Sequence, residues 1–239
     1  MKKSTLLGLA AAASALLGGI GVAHAEGSFT GNVALSSDYV FRGISQTEGG
    51  PAVSGGFDYT HGIFYAGTWA SNVSSATISS GGIEMDVYAG VTPTLGPVSL
   101  NFGVIGYFYP GADDDGGPET DFYEGKASAS YSPIEPLTLT GSIFYSPDWA
   151  LETGDGLYWE IGGAYAVSDA LTLKASYGVQ DADDYADSYE NFLLGASYAY
   201  SGFTFGLTYT DTEDAFDLGY ALDESDADEA LTFSVSRAL

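Results

Sequence analysis

The chain has 239 residues, no cysteine, and 32 acidic side chains against six basic ones. That balance excludes nucleic acid and anionic lipid headgroups as electrostatic partners, and the missing cysteines exclude disulfide staples and thiolate metal sites. Eighteen Tyr, 13 Phe and 33 Gly give a strand-and-turn composition. No segment after the first 25 residues approaches the roughly 18 unbroken apolar residues of a membrane helix.

In chain order, Lys2 and Lys3 precede an apolar run from Leu6 to Val22, which ends in Ala23-His24-Ala25. A basic start, an apolar middle and an A-x-A ending read as a cleaved signal peptide over residues 1–25, so the protein is expected to be exported. Residues 26–239 then form one domain. They keep only Arg42, Lys126, Lys174 and Arg237 as basic side chains, a net charge near −28. Cations are the natural counter-charge.

Strict alternation follows. A strand over 28–42 puts Phe29, Val33, Leu35, Tyr39 and Phe41 on one face, with Asn32, Asp38 and Arg42 on the other. Further strands are expected at 52–60 (with Asp58), 63–73, 82–92 (with Glu84 and Asp86), 97–109 and 121–131 (with Glu124 and Lys126). The remainder are expected at 137–146, 157–167 (with Glu160), 171–180 (with Lys174), 189–200, 203–211 and 230–239. Twelve strands about ten residues long suit an all-β, antiparallel, up-and-down transmembrane barrel, since only helices and closed barrels satisfy every backbone group in lipid. The connections alternate short and long, as they do between periplasmic turns and extracellular loops. Both termini are then periplasmic.

Acids gather in the long connections, for example Asp113-Asp114-Asp115 and the run Asp181, Asp183 and Asp184. These read as solvated loop charge. No EF-hand fits, because the twelfth position after Asp181 is Phe192, and no metal or cofactor is expected. Parity assigns nine charges to the barrel interior: Asp38, Arg42, Asp58, Glu84, Asp86, Glu124, Lys126, Glu160 and Lys174. A charge on the lipid face near mid-membrane costs about 2–4 kcal/mol for Arg or Lys, so the lumen is the cheaper location. Tyr39, Phe41, Trp69, Phe108, Tyr145, Trp159 and Tyr209 are expected as interface girdle residues, while Tyr107, Tyr109 and Tyr158 point inward. The only histidine after the leader is His61, in a short turn, so hydrolytic chemistry needing a histidine base is not expected.

The wording of residues 36–74, "SSDYVFRGISQTEGGPAVSGGFDYTHGIFYAGTWASNVS", resembles the TorF-type porins. These are a proteobacterial outer-membrane family, also catalogued as a domain of unknown function. The blocks SDYVFRG, GGFDY and FYAGTWASN carry the likeness. The resemblance implies an outer-membrane barrel passing small solutes, and it implies no catalytic residues. The expected role is passive diffusion of small hydrophilic or cationic solutes, in contact with outer-membrane lipid and lipopolysaccharide, by a chain more suited to a monomer than an oligomer. The alternative is a non-conducting structural or adhesive barrel acting through its acidic loops.

Overall fold

The computed structural model describes residues 27–74, 82–112 and 119–239. The signal-peptide reading of residues 1–25 and the run Asp113 to Asp115 lie outside the described residues.

Twelve long strands make the wall. They are β1 (Ser28–Ser36), β4 (Ala52–His61), β5 (Phe64–Asn72), β6 (Ile83–Val91), β8 (Val98–Phe108), β9 (Phe122–Ile134), β10 (Leu137–Ser146), β11 (Gly156–Ala166), β12 (Leu171–Ala182), β13 (Tyr189–Tyr200), β14 (Phe203–Glu213) and β15 (Ala230–Ala238). Each pairs antiparallel with its neighbours. The ring closes where Leu35 of β1 meets Val235 of β15, and where Val87 of β6 meets Gly106 of β8. Among the described residues no strand is then left as a free edge strand, the first and last wall strands pairing over residues 32–36 and 234–238, as a sheet in lipid requires.

The period-2 pattern decides which side chains face out. Phe29, Leu35, Phe57, Phe64, Val104, Ile161, Leu194 and Leu231 are each more than half exposed on the outer face. A soluble domain rarely leaves so much contiguous apolar surface uncovered, and a barrel in lipid covers it with acyl chains. Polar side chains such as Ser71, Glu84, Glu124, Lys126, Ser142 and Gln180 alternate with them and are buried.

The ends of the barrel differ. One carries tight connections, including Ser201-Gly202 with both residues at positive φ and a two-residue bridge, β7 (Thr94–Leu95), against the start of β8. The other carries the long, acidic ones, over 37–51, 147–155, 183–188 and 214–229 among others.

The first of these long connections departs from expectation. The strand does not run on to residue 42: β1 ends at Ser36, and a small hairpin follows, β2 (Val40–Phe41) paired with β3 (Ile44–Ser45). Arg42 and Gly43 form its two-residue turn at φ 48° and 89°. Two central residues at positive φ give the turn whose twist matches paired strands, so "FRGI" is hairpin chemistry inside what alternation alone reads as one strand. Tyr39 and Phe41 therefore do not face lipid. Tyr39 is 1 % exposed and Phe41 packs against the same internal cluster. Trp69 also leaves the expected girdle, since its ring packs edge-on to Tyr39 at 5.3 Å. Tyr145, Trp159 and Tyr209 do lie on the outer face, each more than a third exposed.

Candidate functional site: an inner hairpin bolted across the barrel

The hairpin owes its shape to polar bonds within its own loop. Asp38 accepts from Ser45 Oγ at 2.7 Å and from Thr47 Oγ1 at 2.8 Å, while Gln46 N–H donates to the Tyr39 carbonyl at 2.6 Å. Asp38, expected as a wall charge, instead ties the two arms of this loop together. It is 7 % exposed.

From its base beside β1 and β4 the hairpin meets one wall after another. Tyr39 donates its hydroxyl proton to Glu84 of β6 at 2.7 Å, and Tyr109 donates to the other oxygen of the same carboxylate at 3.1 Å. Arg42, at the turn, sends Nη2 to Glu124 of β9 at 2.7 Å and Nη1 to Gln180 of β12 at 2.6 Å. Its guanidinium carbon lies 4.2 Å from the ring centre of Tyr158 on β11, 5.1 Å from Phe144 on β10 and 4.7 Å from its neighbour Phe41. Tyr189 of β13 donates its hydroxyl to the Arg42 carbonyl at 3.1 Å. Gly43, at the tip, lies against Thr212 and Asn191, where β13 and β14 come round.

Holding a non-glycine residue in the left-handed region costs roughly 1–2 kcal/mol. The Arg42–Glu124 pair offsets this, with side chains 5 % and 2 % exposed. A buried pair gains only when its remaining hydrogen-bonding capacity is filled. Here Tyr107 donates a further bond to Glu124 Oε2 at 3.0 Å. Three rings around the cation add cation–π attraction, which strengthens as water is removed.

The other charges assigned by parity spread along the interior. Asp58 accepts from the Tyr88 hydroxyl at 2.7 Å. Asp86 has a buried Oδ1 without a hydrogen-bond partner. Lys126 is 7 % exposed, with its ammonium 5.3 Å from the Phe144 ring centre. Glu160 lies 3.3 Å from the Tyr158 hydroxyl and within electrostatic reach of both Lys126 and Lys174. The Lys174 stem crosses Gly195 so closely that a side chain there would strike its Cγ at 2.9 Å. Thus Arg42 and Glu124 come into direct contact, and Glu84 and Asp58 hold tyrosines. Among the described residues no group of three or more acidic or histidine side chains is arranged to hold a metal ion.

Parity alone passed over Gln180, Phe144, Tyr189, Asn191 and Thr212. Each is polar or aromatic on the inner phase of its strand, but only the folded-in loop gives them a shared partner. The signal for that loop was the Arg-Gly turn.

Above the hairpin the last long connection closes down. Ala215, Ala221 and Ala227 pack with Ile44 and Tyr189. The short helix α1 (Glu224–Ala227), capped by Asp223 accepting from Ser225 N–H at 2.9 Å, sits over β3. The Ser225 hydroxyl, donating to the same oxygen at 2.7 Å, and that N–H together hold the Asp223 carboxyl below its ordinary value. Nearby, Asp226 is pushed up by burial and by the charges of Glu48, Asp223 and Asp38.

Residues 21–239 match the model of a family described as "Bacterial protein of unknown function (Gcw_chp)". The chain belongs to that family. Among solved structures it is similar to the KdgM porin, with TM-score 0.57 and 7% identity over 87% of this chain and 97% of that one. The same porin in complex with disordered oligogalacturonate gives TM-score 0.57 at 7% identity, over 88% and 98% of the two chains. The NanC porin is similar at TM-score 0.56 and 10% identity, over 88% and 98% of the two chains. No curated protein sequence matches. At such identities the likeness is one of fold: a closed, twelve-stranded antiparallel barrel of the kind porins use.

Proposed function

We propose that the protein is an outer-membrane channel for passive diffusion of small hydrophilic solutes, with cations preferred, in which the inner hairpin sets the constriction. The observation carrying this reading is a closed barrel, apolar outside and polar inside, whose first long loop is folded into its own interior. Eight-stranded barrels are filled by their side chains and sixteen-stranded ones hold an aqueous channel, so twelve strands with one inserted loop suit a narrow conduit. The location follows from the same features: an apolar outer belt for lipid, short turns toward the periplasm and acidic loops toward lipopolysaccharide. The TorF-type likeness, carried by residues 36–74, supports it, and those residues include the whole hairpin.

Asp38, Asp58, Glu84, Asp86, Glu124 and Glu160 outnumber Arg42, Lys126 and Lys174 in the proposed lumen set. A pore whose fixed charge is mainly negative favours cations. An acidic oligosaccharide such as the one solved with the KdgM porin would meet repulsion here. Planar-bilayer recordings of the refolded mature chain in a salt gradient test this, with a reversal potential on the cation side expected and one on the anion side refuting it. A second reading, a non-conducting structural barrel, draws on the contacts of the hairpin with opposite walls. It is supported if no voltage elicits conductance, and excluded if conductance persists after the long loops are shortened.

A further inference from the structure

The four wall side chains around Arg42 come from four consecutive staves: Glu124 on β9, Phe144 on β10, Tyr158 on β11 and Gln180 on β12. Their spacing is fixed by ladder pairing, with Phe144 opposite Tyr158, Tyr158 opposite Gln180, and Phe144 opposite Lys126, two residues from Glu124. Only Phe41 is contributed by the hairpin itself. The receptor for the guanidinium is therefore part of the hydrogen-bonded wall, and it keeps its shape when the loop moves.

Its chemistry is selective. Two nitrogens of one planar cation reach two acceptors on different strands, 2.7 Å to a carboxylate and 2.6 Å to an amide oxygen, between aromatic rings. A guanidinium satisfies this fork-and-stack arrangement, whereas an ammonium is a compact point charge with no plane to stack. We propose that this wall pocket is a binding site for guanidinium-bearing organic cations, with Arg42 as its tethered occupant, and that free solutes of this class displace the Arg42 side chain and loosen the hairpin. The binding stands by itself, while the consequence for conductance rests on the channel reading above. A tethered group competes at an effective concentration of about millimolar, so the intact protein responds only to solute at that level or higher, and a chain lacking Arg42 responds to less.

The probe is n-butylguanidinium, with n-butylammonium as control, added to the refolded mature chain in detergent. Arg42→Ala should bind butylguanidinium by calorimetry about tenfold more tightly than butylammonium, and the preference should vanish in Arg42→Ala/Glu124→Gln. Equal affinity for the two cations, or a preference that survives Glu124→Gln, overturns the proposal. If Arg42→Ala does not refold, the wild-type chain serves, because displacement of the hairpin frees the Gln46 N–H from the Tyr39 carbonyl and exposes it to hydrogen exchange. Butylguanidinium should then speed exchange in residues 40–46, and a rate no greater than with butylammonium overturns the proposal. A bilayer silent at every voltage beside intact selective binding refutes the channel reading and leaves the site standing.

Discussion

Replacing Gly43 by alanine strikes the hairpin where it touches the far wall. Gly43 has φ 89°, a conformation costing an L-residue roughly 1–2 kcal/mol. The added Cβ would overlap Thr212 Cγ2 and come within 2.9 Å of Asn191 Cβ. Overpacking of this kind costs typically about 1–3 kcal/mol, so the docked hairpin should lose about 2–5 kcal/mol relative to an undocked one. Since every 1.4 kcal/mol is about tenfold, the undocked population should rise by roughly thirtyfold to a few thousandfold. Trypsin cleavage after Arg42 reads the population, and single-channel current reads its consequence. Thr212→Ser deletes the methyl that collides while keeping the hydroxyl that donates to the Ala227 carbonyl at 2.6 Å. Combined with Gly43→Ala it should restore about 1 kcal/mol or more, a coupling that independent sites would not show. If Gly43→Ala leaves cleavage rate and current unchanged, the hairpin is not docked against β13 and β14 as described, and the reasoning fails.

Glu124→Gln removes the carboxylate paired with Arg42 and leaves a buried cation with only neutral acceptors and aromatic rings, so a loss of about 3 kcal/mol is expected in urea unfolding from detergent or lipid. An unchanged midpoint would contradict the bolt. Asp226 gives a pH effect in the outer loop. Its carboxyl is raised above the ordinary value, so the folded loop binds more protons than the unfolded one. Its contribution to stability therefore improves as pH falls through the raised value and levels off below the usual carboxylate range. Asp226→Asn should slow proteolysis of residues 214–229 at neutral pH and flatten its pH dependence, whereas faster proteolysis of Asp226→Asn would reverse the sign of the argument.

The barrel was legible because its physics is periodic. An apolar exterior and a polar interior force every second residue of each strand to one side, and the alternating lengths of the connections mark the two different ends of the barrel. Ile83 to Val91 or Leu171 to Ala182 can be read residue by residue from that rule alone. The same rule misassigned residues 37–42, because Tyr39, Phe41 and their polar neighbours keep strand alternation while lying inside the barrel. What distinguishes them is the turn at Arg42 and Gly43, and the reason the turn folds inward is nonlocal. Arg42 depends on Glu124, 82 positions away, and on Gln180, 138 positions away. Sequence determined that this chain forms a closed barrel with an acidic rim and a charged interior. Tertiary structure alone decided that the barrel's first loop fills part of that interior, because the surroundings that hold an arginine at positive φ come from four staves far from it in sequence.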